Sequence, residues 1–319
     1  MKRCLVTGVA GGLGHHLAHK LLSEGHDVTG IDDFSVGRNT PPCYIQRLDI
    51  VHDYIPKVNY DWIFHLAAKA DIVPSITCPG IYHDVNVTGT LKILEYARQV
   101  NCKRFIYAAS SSCYGIPNKY PTPESAKIKP EYPYALTKYL GEQYVLHYNK
   151  VYGLPTVSLR LFNVYGPGFR TSGTYGAVFG VFLAQLANGK PLTVVGDGSQ
   201  RRDFTYVSDV VSALIKAAES DVTGEKLNVG SGNAYSINQL VALLGSPERV
   251  TLPKRPGEPD ITYADIKKIQ EYLGWKPRVS FEDGVAKMLK HLKDYKDAPL
   301  WDEASINKAT ESWFKCLKS

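Results

Sequence analysis

The chain has 319 residues, of which 44% are hydrophobic and 21% are charged, so it can bury a large core and lacks the composition of a disordered protein. The formal net charge is +6, and the sequence contains no run of five basic residues. Such a mild, dispersed positive charge suits anionic small molecules at least as well as nucleic acid, and we expect no nucleic-acid partner. Scattered cysteines without a C-x-x-C pair indicate a reduced, cytoplasmic protein, and no apolar run has the length of a membrane span or leaves room for a signal peptide.

Short β-branched runs alternate with helical stretches through the first half of the sequence. RCLVTG (3–8) predicts a strand, LGHHLAHKLLSEG (13–25) a helix that ends at Gly25, and DVTGIDD (27–33) a second strand. Further strands and helices are predicted at YDWIFHLAA, NVTGTLKILEYARQVN, KRFIYAASSS, YALTKYLGEQYVLHYNKVYG and LPTVSLRLFNVYG. This alternation predicts an α/β fold built on a Rossmann-type, doubly wound parallel sheet.

The alternation breaks after Gly166, where proline and glycine become frequent. Helices near 178–188, 208–219 and 236–244 stand among these irregular segments and predict a smaller, mixed α/β lobe. The tail is helical and amphipathic, and we expect its aromatic residues, Trp301, Trp313 and Phe314, to pack on the body. The predicted units are a first domain at 1–166 to which segments around 203–232 return, a lobe at 167–290 and a tail at 291–319.

The stretch TGVAGGLG places Gly8, Gly11 and Gly14 at three-residue intervals between a predicted strand and a predicted helix. Glycines there let the backbone approach a pyrophosphate at the helix N-terminus, where free N–H groups favour negative charge. Asp32 and Asp33 end the second strand, where a carboxylate would bond the ribose hydroxyls and repel a 2′-phosphate. The sequence therefore predicts a dinucleotide site that takes NAD rather than NADP.

The sequence offers no convincing set of metal ligands. His15 and His19 stand four apart on the first predicted helix, so they would share one face. A protein metal site needs at least a third ligand, and none lies nearby in the sequence. We therefore predict no metal.

A possible catalytic pair occurs in YPYALTKYLGEQ, where Tyr134 and Lys138 stand four apart on a predicted helix. An ammonium beside a phenol lowers the phenol pKa and would make a general base near neutral pH. The same spacing recurs at Tyr263/Lys267 and Tyr272/Lys276, so the pair alone decides nothing.

The strand that precedes each tyrosine–lysine pair distinguishes the three pairs. KRFIYAASSS ends in Ser110–Ser112, and ligands of open parallel sheets bind at the carboxyl ends of strands. Tyr134 follows at the start of the next helix, whereas Tyr272/Lys276 spans Gly274 and Tyr263/Lys267 has no associated hydroxyl-bearing strand. We therefore predict Ser110, Tyr134 and Lys138 as the catalytic residues.

These residues belong to a longer series of motifs that extends to about residue 290. The chain resembles extended short-chain dehydrogenases/reductases, specifically nucleotide-sugar epimerases of the UDP-glucose 4-epimerase type. The matching stretches are TGVAGGLG, IDD, LDI, HLAAKADI, NVTGT, ASSSCYG, YALTK, RLFNVYGPG, GDGSQRRDFTYVSDVV, LNVGSG and RPGEPDITYADIKK. The resemblance implies NAD-dependent epimerisation at C4 of a UDP-sugar through a transient 4-keto sugar, with the protein supplying positioning and electrostatics.

The resemblance also implies the binding residues. Asp49 and Ile50 would contact the adenine, Lys138 would hold the nicotinamide ribose, and Glu258 would lie near the uridine ribose. The expected cofactor set is Gly8, Gly11, Gly12, Leu13, Gly14, Asp32, Asp33, Phe34, Ser35, Gly37, Asp49, Ile50, Leu66, Ala67, Ala68, Lys69, Asn86, Ser110, Tyr134 and Lys138. The expected substrate set is Ser111, Ser112, Asn163, Val178, Thr193, Val195, Arg202, Arg255, Glu258 and Thr262, with Asn163 and the two arginines on the diphosphate.

Three departures from the family's pattern carry information. Gly12 replaces a bulkier residue between the loop glycines, which changes packing without blocking a phosphate. Ser111 and Ser112 stand where related dehydratases and decarboxylases carry acids, so the resemblance disfavours those reactions. Thr262 stands at a gate that is a tyrosine in enzymes restricted to unmodified hexoses, which favours room for an N-acetyl group.

Several alternatives stay open. Threonine at the gate also occurs in relatives that act on glucuronic acid, so a UDP-glucuronate 4-epimerase, another nucleotide-sugar epimerase or a 4-keto-sugar reductase fits the same motifs. A non-enzyme alternative is an NAD-sensing regulatory protein that kept the fold. By resemblance we also expect a homodimer formed through the helices at about 88–100 and 134–151.

Overall fold

The computed structural model describes residues 1–169 and 177–317, so part of the predicted lobe (170–176) and of the predicted tail (318–319) lies outside the described residues. Its strands are β1 (Arg3–Thr7), β2 (Asp27–Asp32), β3 (Tyr44–Arg47), β4 (Trp62–His65), β5 (Arg104–Ser110), β6 (Thr156–Leu161), β7 (Asn163–Tyr165), β8 (Leu192–Val195), β9 (Arg201–Arg202), β10 (Phe204–Tyr206), β11 (Glu225–Val229), β12 (Tyr235–Ser236) and β13 (Arg249–Leu252).

The helices follow the strands closely along the chain. They are α1 (Gly12–Ser23), α2 (Ile72–Thr77), α3 (Pro79–His83), α4 (Thr90–Gln99), α5 (Pro133–Tyr152), α6 (Val178–Ala187), α7 (Val207–Glu219), α8 (Ile237–Leu243), α9 (Lys267–Leu273), α10 (Phe281–Lys290) and α11 (Glu303–Cys316). A π-helical turn at Asp84–Gly89 joins α3 to α4, and 3₁₀ turns occupy Ser111–Tyr114 and Leu292–Tyr295. Within the described ranges, no helix combines the length and the apolar character that a membrane span requires.

Seven strands of the described chain form one parallel sheet in the order β3–β2–β1–β4–β5–β6–β11. The reversal of strand order next to β1 is the switch point at which open α/β sheets bind their ligands. The predicted doubly wound α/β fold is confirmed.

Alternate residues of the central strands face opposite layers of helices. Cys4 and Val6 of β1 belong to the core that includes Leu17 of α1 and Leu214 of α7. Leu5 between them belongs to the opposite core, with residues of α4 and α5. Both faces are therefore covered, which is why these strands read as continuous apolar runs.

The second half contributes three two-stranded sheets among its described residues. β7 pairs with β10 and β8 with β13, both in parallel, while β9 pairs with β12 antiparallel. β11 forms one edge of the large sheet and α7 packs on that sheet, and α6, α8 and α10 extend its core into the smaller lobe. In the tail, Trp313 is 2% exposed and packs on the body, whereas Phe314 remains 40% exposed, so the expectation that all three aromatic residues pack inward is wrong for Phe314.

Candidate active site

The glycine loop after β1 forms a close backbone cradle. Gly8 has φ +73°, and a Cβ placed there would come within 2.8 Å of the Ala67 amide nitrogen. A Cβ at Gly14 would lie 2.2 Å from the Gly8 carbonyl oxygen. Gly11 caps α1 without a side chain, so the first N–H groups of the helix stay open to an anion. The residues present therefore fit a dinucleotide pyrophosphate.

Gly12 makes room for an aromatic ring from the connection after β7. A Cβ at Gly12 would come within 2.6 Å of the Phe169 ring. The same connection is tied to α1, since His16 Nε2 lies 2.8 Å from the Pro167 carbonyl oxygen. The Phe169 ring thus fills the space that a side chain at position 12 would occupy. Nothing in the sequence indicated this contact.

Asp32 connects the second strand to the glycine loop. Its carboxylate accepts hydrogen bonds from the Ala10 amide at 2.9 Å and the Phe34 amide at 2.8 Å. Burial raises the pKa of Asp32, while these two hydrogen bonds and the charge of Lys69 lower it. Each carboxylate oxygen can accept more than one hydrogen bond, so Asp32 can still receive a ribose hydroxyl. Asp33, by contrast, is exposed and its carboxylate accepts from the amide and hydroxyl of Ser35.

Lys69 lies opposite Asp32 at the end of β4, and its Nζ donates to the Ser35 hydroxyl at 2.8 Å. The buried Asn86 side chain accepts from the Lys69 amide at 2.8 Å and donates to the Lys69 carbonyl at 3.0 Å. Asn86, predicted to contact the cofactor, therefore lies behind the cleft and positions Lys69.

The other predicted cofactor residues occupy the same edge of the sheet. The side chain of Asp49 accepts from the Val51 amide at 2.7 Å, and the buried Ile50 packs against Gly89. Gly37 folds back so closely that a Cβ there would lie 2.6 Å from the Ala10 carbonyl carbon. Leu66, Ala67 and Ala68 directly follow β4, and Leu13 stands in the first turn of α1.

Tyr134 stands at the second position of α5, where the helix start meets the end of β5. The Ser110 side chain lies near enough to lower the pKa of the Tyr134 hydroxyl, and Ser110 Oγ lies 2.8 Å from Ser112 Oγ. The Tyr134 ring lies parallel to that of Tyr132, with centroids 6.5 Å apart. The structure thus brings together the strand end and the helix start that the sequence indicated.

The pKa of Tyr134 is raised in this structure. Burial is the largest cause, the Ser110 side chain opposes it, and the charge of Asp71 adds to it. The predicted lowering of this pKa by Lys138 is not seen in this structure, because Lys138 is not among the causes of the shift and burial disfavours the phenolate. A phenol with a raised pKa is protonated at neutral pH.

Lys138 is itself buried on α5, one turn after Tyr134. Its Nζ lies 4.3 Å from the centroid of the Tyr107 ring, a cation–π contact in a dry setting. Burial lowers the pKa of Lys138 to about 7, and the charge of Glu142 opposes that fall. At neutral pH the charge of Lys138 therefore depends on its neighbours.

Glu142, one further turn along α5, forms a fully buried ion pair with Arg160 of β6. Their side chains are each 1% exposed, and Arg160 Nη2 lies 2.6 Å from Glu142 Oε1. Arg160 Nε donates to Glu142 Oε2 at 2.9 Å, and Nη1 donates to the Tyr114 hydroxyl at 2.9 Å. Sequence reasoning missed this pair, although the spacing of Lys138 and Glu142 on one helix face was available as a signal.

The predicted diphosphate residues cluster in the second lobe. Arg202 Nη2 lies 2.9 Å from Glu258 Oε1, and Arg255 Nη1 lies 3.8 Å from Glu258 Oε2. Both arginine side chains are 10% exposed, so the two cations are largely withdrawn from water around one carboxylate. An anion with two negative charges would match them better than the single carboxylate does.

Thr262 and Asn163 face each other beside this cluster. The Thr262 hydroxyl donates to Asn163 Oδ1 at 2.8 Å and accepts from the Asp203 amide at 3.0 Å. Of the other predicted substrate residues, Val178 begins α6 and Val195 ends β8. Thr193 is buried, and its hydroxyl accepts from Gln185 Nε2 at 2.8 Å, so it lies behind the cleft.

Comparisons with known proteins agree with this arrangement. A model of the NAD dependent epimerase/dehydratase family matches residues 4–230. The UDP-glucose 4-epimerase of Mycolicibacterium smegmatis is 34% identical over 314 residues, which cover 92% of this chain and 99% of that protein.

Two solved structures are also similar. The UDP-glucuronic acid 4-epimerase of Bacillus cereus, in complex with UDP-glucuronic acid and NAD, has a TM-score of 0.85 at 31% identity, over 92% of this chain and 99% of that one. The UDP-N-acetylglucosamine 4-epimerase of Methanobrevibacter ruminantium M1, in complex with UDP-N-acetylmuramic acid, has a TM-score of 0.84 at 32% identity, over 91% and 99%. The names of these relatives specify three sugars, so similarity by itself leaves the sugar open.

Proposed function

Since the chain belongs to the NAD-dependent epimerase/dehydratase family and is an NAD-dependent enzyme of its UDP-sugar 4-epimerase group, we propose that it interconverts the C4 epimers of UDP-glucose and of UDP-N-acetylglucosamine, with Ser110, Tyr134 and Lys138 as its catalytic residues. The observation that carries this proposal is the meeting of Tyr134, at the start of α5, with Ser110, at the end of β5, at the ligand-binding edge of the sheet that also carries the glycine cradle. The test is incubation with a panel of UDP-sugars, with the 4-epimers resolved by NMR and reduced cofactor followed by absorbance. Epimers without net reduced cofactor support the proposal, whereas stoichiometric consumption identifies a 4-keto-sugar reductase.

The chain's own residues divide the work between proton transfer and binding. Tyr134 takes the proton of the sugar 4-hydroxyl and later returns it, while Ser110 holds the phenol and the substrate hydroxyl in line. The glycine loop and Asp32 would hold NAD, which would supply a reversible hydride acceptor for C4 and a positive charge that favours the phenolate. Arg202 and Arg255 hold the diphosphate, so the 4-keto sugar can turn over without leaving the site.

The choice of N-acetylhexosamine is supported by Thr262. Its short side chain lies beside Asn163 at the substrate cluster and leaves space that a tyrosine ring would fill. We expect Thr262→Tyr to lower kcat/KM for UDP-N-acetylglucosamine by about a hundredfold, and by less than about threefold for UDP-glucose, because an added ring blocks only the larger C2 substituent.

Thr262→Val is the matched control, because it keeps the volume of threonine while it removes the hydroxyl that bonds Asn163. An equal loss on both sugars with Thr262→Tyr would show that the position supports the fold rather than selects the substrate. Turnover of UDP-glucuronate alone in the panel would replace the two proposed sugars with a uronic acid.

The regulatory alternative has a distinct signature. A cofactor-sensing protein would bind NAD but turn over none of the UDP-sugars, and a partner protein would respond to the bound cofactor. The nearness of Ser110, Tyr134 and Lys138 supports the enzyme instead, because sensing alone does not require a phenol next to a serine and a lysine at the end of β5 and the start of α5.

We also propose a homodimer formed through α4 and α5. The outer face of α5 exposes apolar side chains at helical spacing: Leu136 is 45%, Tyr144 38% and Val151 52% exposed. A second copy of the same face would cover them symmetrically.

Tyr144→Lys is expected to convert a dimer into a monomer in light scattering after size exclusion, because it places a charge in the contact. Tyr54→Lys, at an isolated residue that is 75% exposed, should leave the dimer intact; a monomeric wild type would contradict the proposal.

A further inference from the structure

The C-terminal helix α11 connects the two lobes at the substrate side of the cleft. It packs against α2, which follows the cofactor loop after β4. On the other side, its residues Ile306 and Thr310 border the same small gap as Val195 and Leu252, at the ends of β8 and β13. The helix thus contacts elements of the first domain and of the smaller lobe.

Trp313 is the residue of α11 that contacts the substrate cluster most directly. Its indole N–H donates to the Pro256 carbonyl oxygen at 2.7 Å, and its ring centroid lies 5.8 Å from the Arg255 guanidinium. Tyr132 packs on the same ring, with centroids 5.8 Å apart. Beyond it, Leu317 reaches to 4.0 Å from the position a Cβ would take at Gly257.

These contacts hold the segment that carries Arg255 and Glu258. A free arginine side chain loses rotamer entropy when a ligand fixes it, and a ring packed on its guanidinium removes part of that loss before the ligand arrives. The hydrogen bond to Pro256 fixes the backbone next to Arg255. Trp313 therefore contacts both the side chain and the backbone of the segment that carries the arginine.

We infer that Trp313 is a positioning residue for the nucleoside diphosphate: from a helix outside the Rossmann domain, it holds Arg255 and its backbone in the geometry that binds UDP. This inference rests on the proposed function, because it takes the arginine cluster as the diphosphate site. Trp313 acts through Arg255 and Pro256 and has no chemical role of its own.

The experiment is Trp313→Ala in the full chain, with UDP affinity measured by titration calorimetry and KM and kcat measured on the UDP-sugar that turns over. We expect the Kd for UDP and the KM to rise about tenfold, with kcat and NAD affinity changed by less than about twofold, since a desolvated cation–π contact and one hydrogen bond are lost from the binding step alone. Trp313→Phe keeps a ring against Arg255 and should recover most of the affinity for UDP. It also keeps the inference testable if Trp313→Ala does not fold.

Met288→Ala is the control for a purely structural effect, because Met288 is fully buried in α10 and is remote from the arginine cluster in the chain. An equal rise of the UDP Kd in Met288→Ala would overturn the inference, as would an unchanged Kd in Trp313→Ala or a fall in kcat at constant KM. Binding is measured without turnover, so wild-type protein that binds UDP but epimerises nothing would contradict the proposed function and leave this comparison intact. Wild-type protein that does not bind UDP would overturn the inference itself.

Discussion

Tyr134→Phe is expected to lower kcat by about 10²–10⁴-fold while UDP and NAD still bind with nearly unchanged affinity. The reason is that phenylalanine keeps the ring parallel to that of Tyr132 but removes the hydroxyl that would carry the proton. A positioned acid–base group contributes a rate factor of about this size. The measurement is initial rates by NMR or a coupled assay, with calorimetric titration of UDP on the same preparation.

The chain provides its own control in Tyr272→Phe. Tyr272 has the same four-residue spacing to a lysine, but it is 42% exposed at the end of α9, which Gly274 terminates in a left-handed conformation. Loss of its hydroxyl should leave kcat within about twofold of the wild type, since Tyr272 is exposed on a helix that carries none of the proposed site residues. If Tyr134→Phe kept full activity, the proton would have to be handled by another group and the proposed mechanism would be wrong.

Glu142→Gln is expected to lower the free energy of unfolding by about 3–5 kcal/mol. Its carboxylate is the partner of the buried Arg160 guanidinium, and an uncompensated buried charge costs far more than the net gain of the intact pair. The measurement is urea denaturation at pH 7. The slope of the unfolding free energy against urea concentration is compared between variants to confirm that the denatured state is unchanged.

Glu24→Gln tests whether burial is the reason. Glu24 also forms an ion pair with a basic side chain, Lys20, at 2.9 Å, but both side chains are substantially exposed. Its loss should change stability by less than about 1 kcal/mol, as is typical of surface pairs. Equal effects of the two substitutions would contradict the role assigned to the buried network.

Glu142→Gln should also shift the pH dependence of activity. Burial lowers the pKa of Lys138 to about 7 and the charge of Glu142 raises it, so glutamine at position 142 should lower that pKa further. Lys138 would then lose its ammonium charge at a lower pH, and the decline of kcat on the alkaline side should begin earlier. A pH profile with the same alkaline limb in both proteins would show that Lys138 is not coupled to Glu142.

Much of the fold could be predicted because the periodicity of the first half is strong. The runs at β1, β2, β4, β5 and β6 are mostly buried and rich in apolar and β-branched residues, as expected of strands covered on both faces, and the glycine loop marks where β1 gives way to α1. The edge strand β3 was missed, since its four residues are partly exposed and show no apolar run. The short helices α2 and α3 were missed for the related reason that five or six residues carry too little periodicity.

By itself, the sequence determined the parallel Rossmann sheet and the glycine loop of the dinucleotide cradle, and it favoured Tyr134 over two equally spaced rivals, because local spacing and strand ends can be read along the chain. Only the tertiary structure decided which charges are buried and which side chains meet. It raised the pKa of Tyr134, enclosed Glu142 with Arg160, moved Asn86 behind Lys69 and brought Phe169 and Trp313 to the site from distant segments. Burial and long-range contacts depend on the packing of all elements together, and no local pattern contains them.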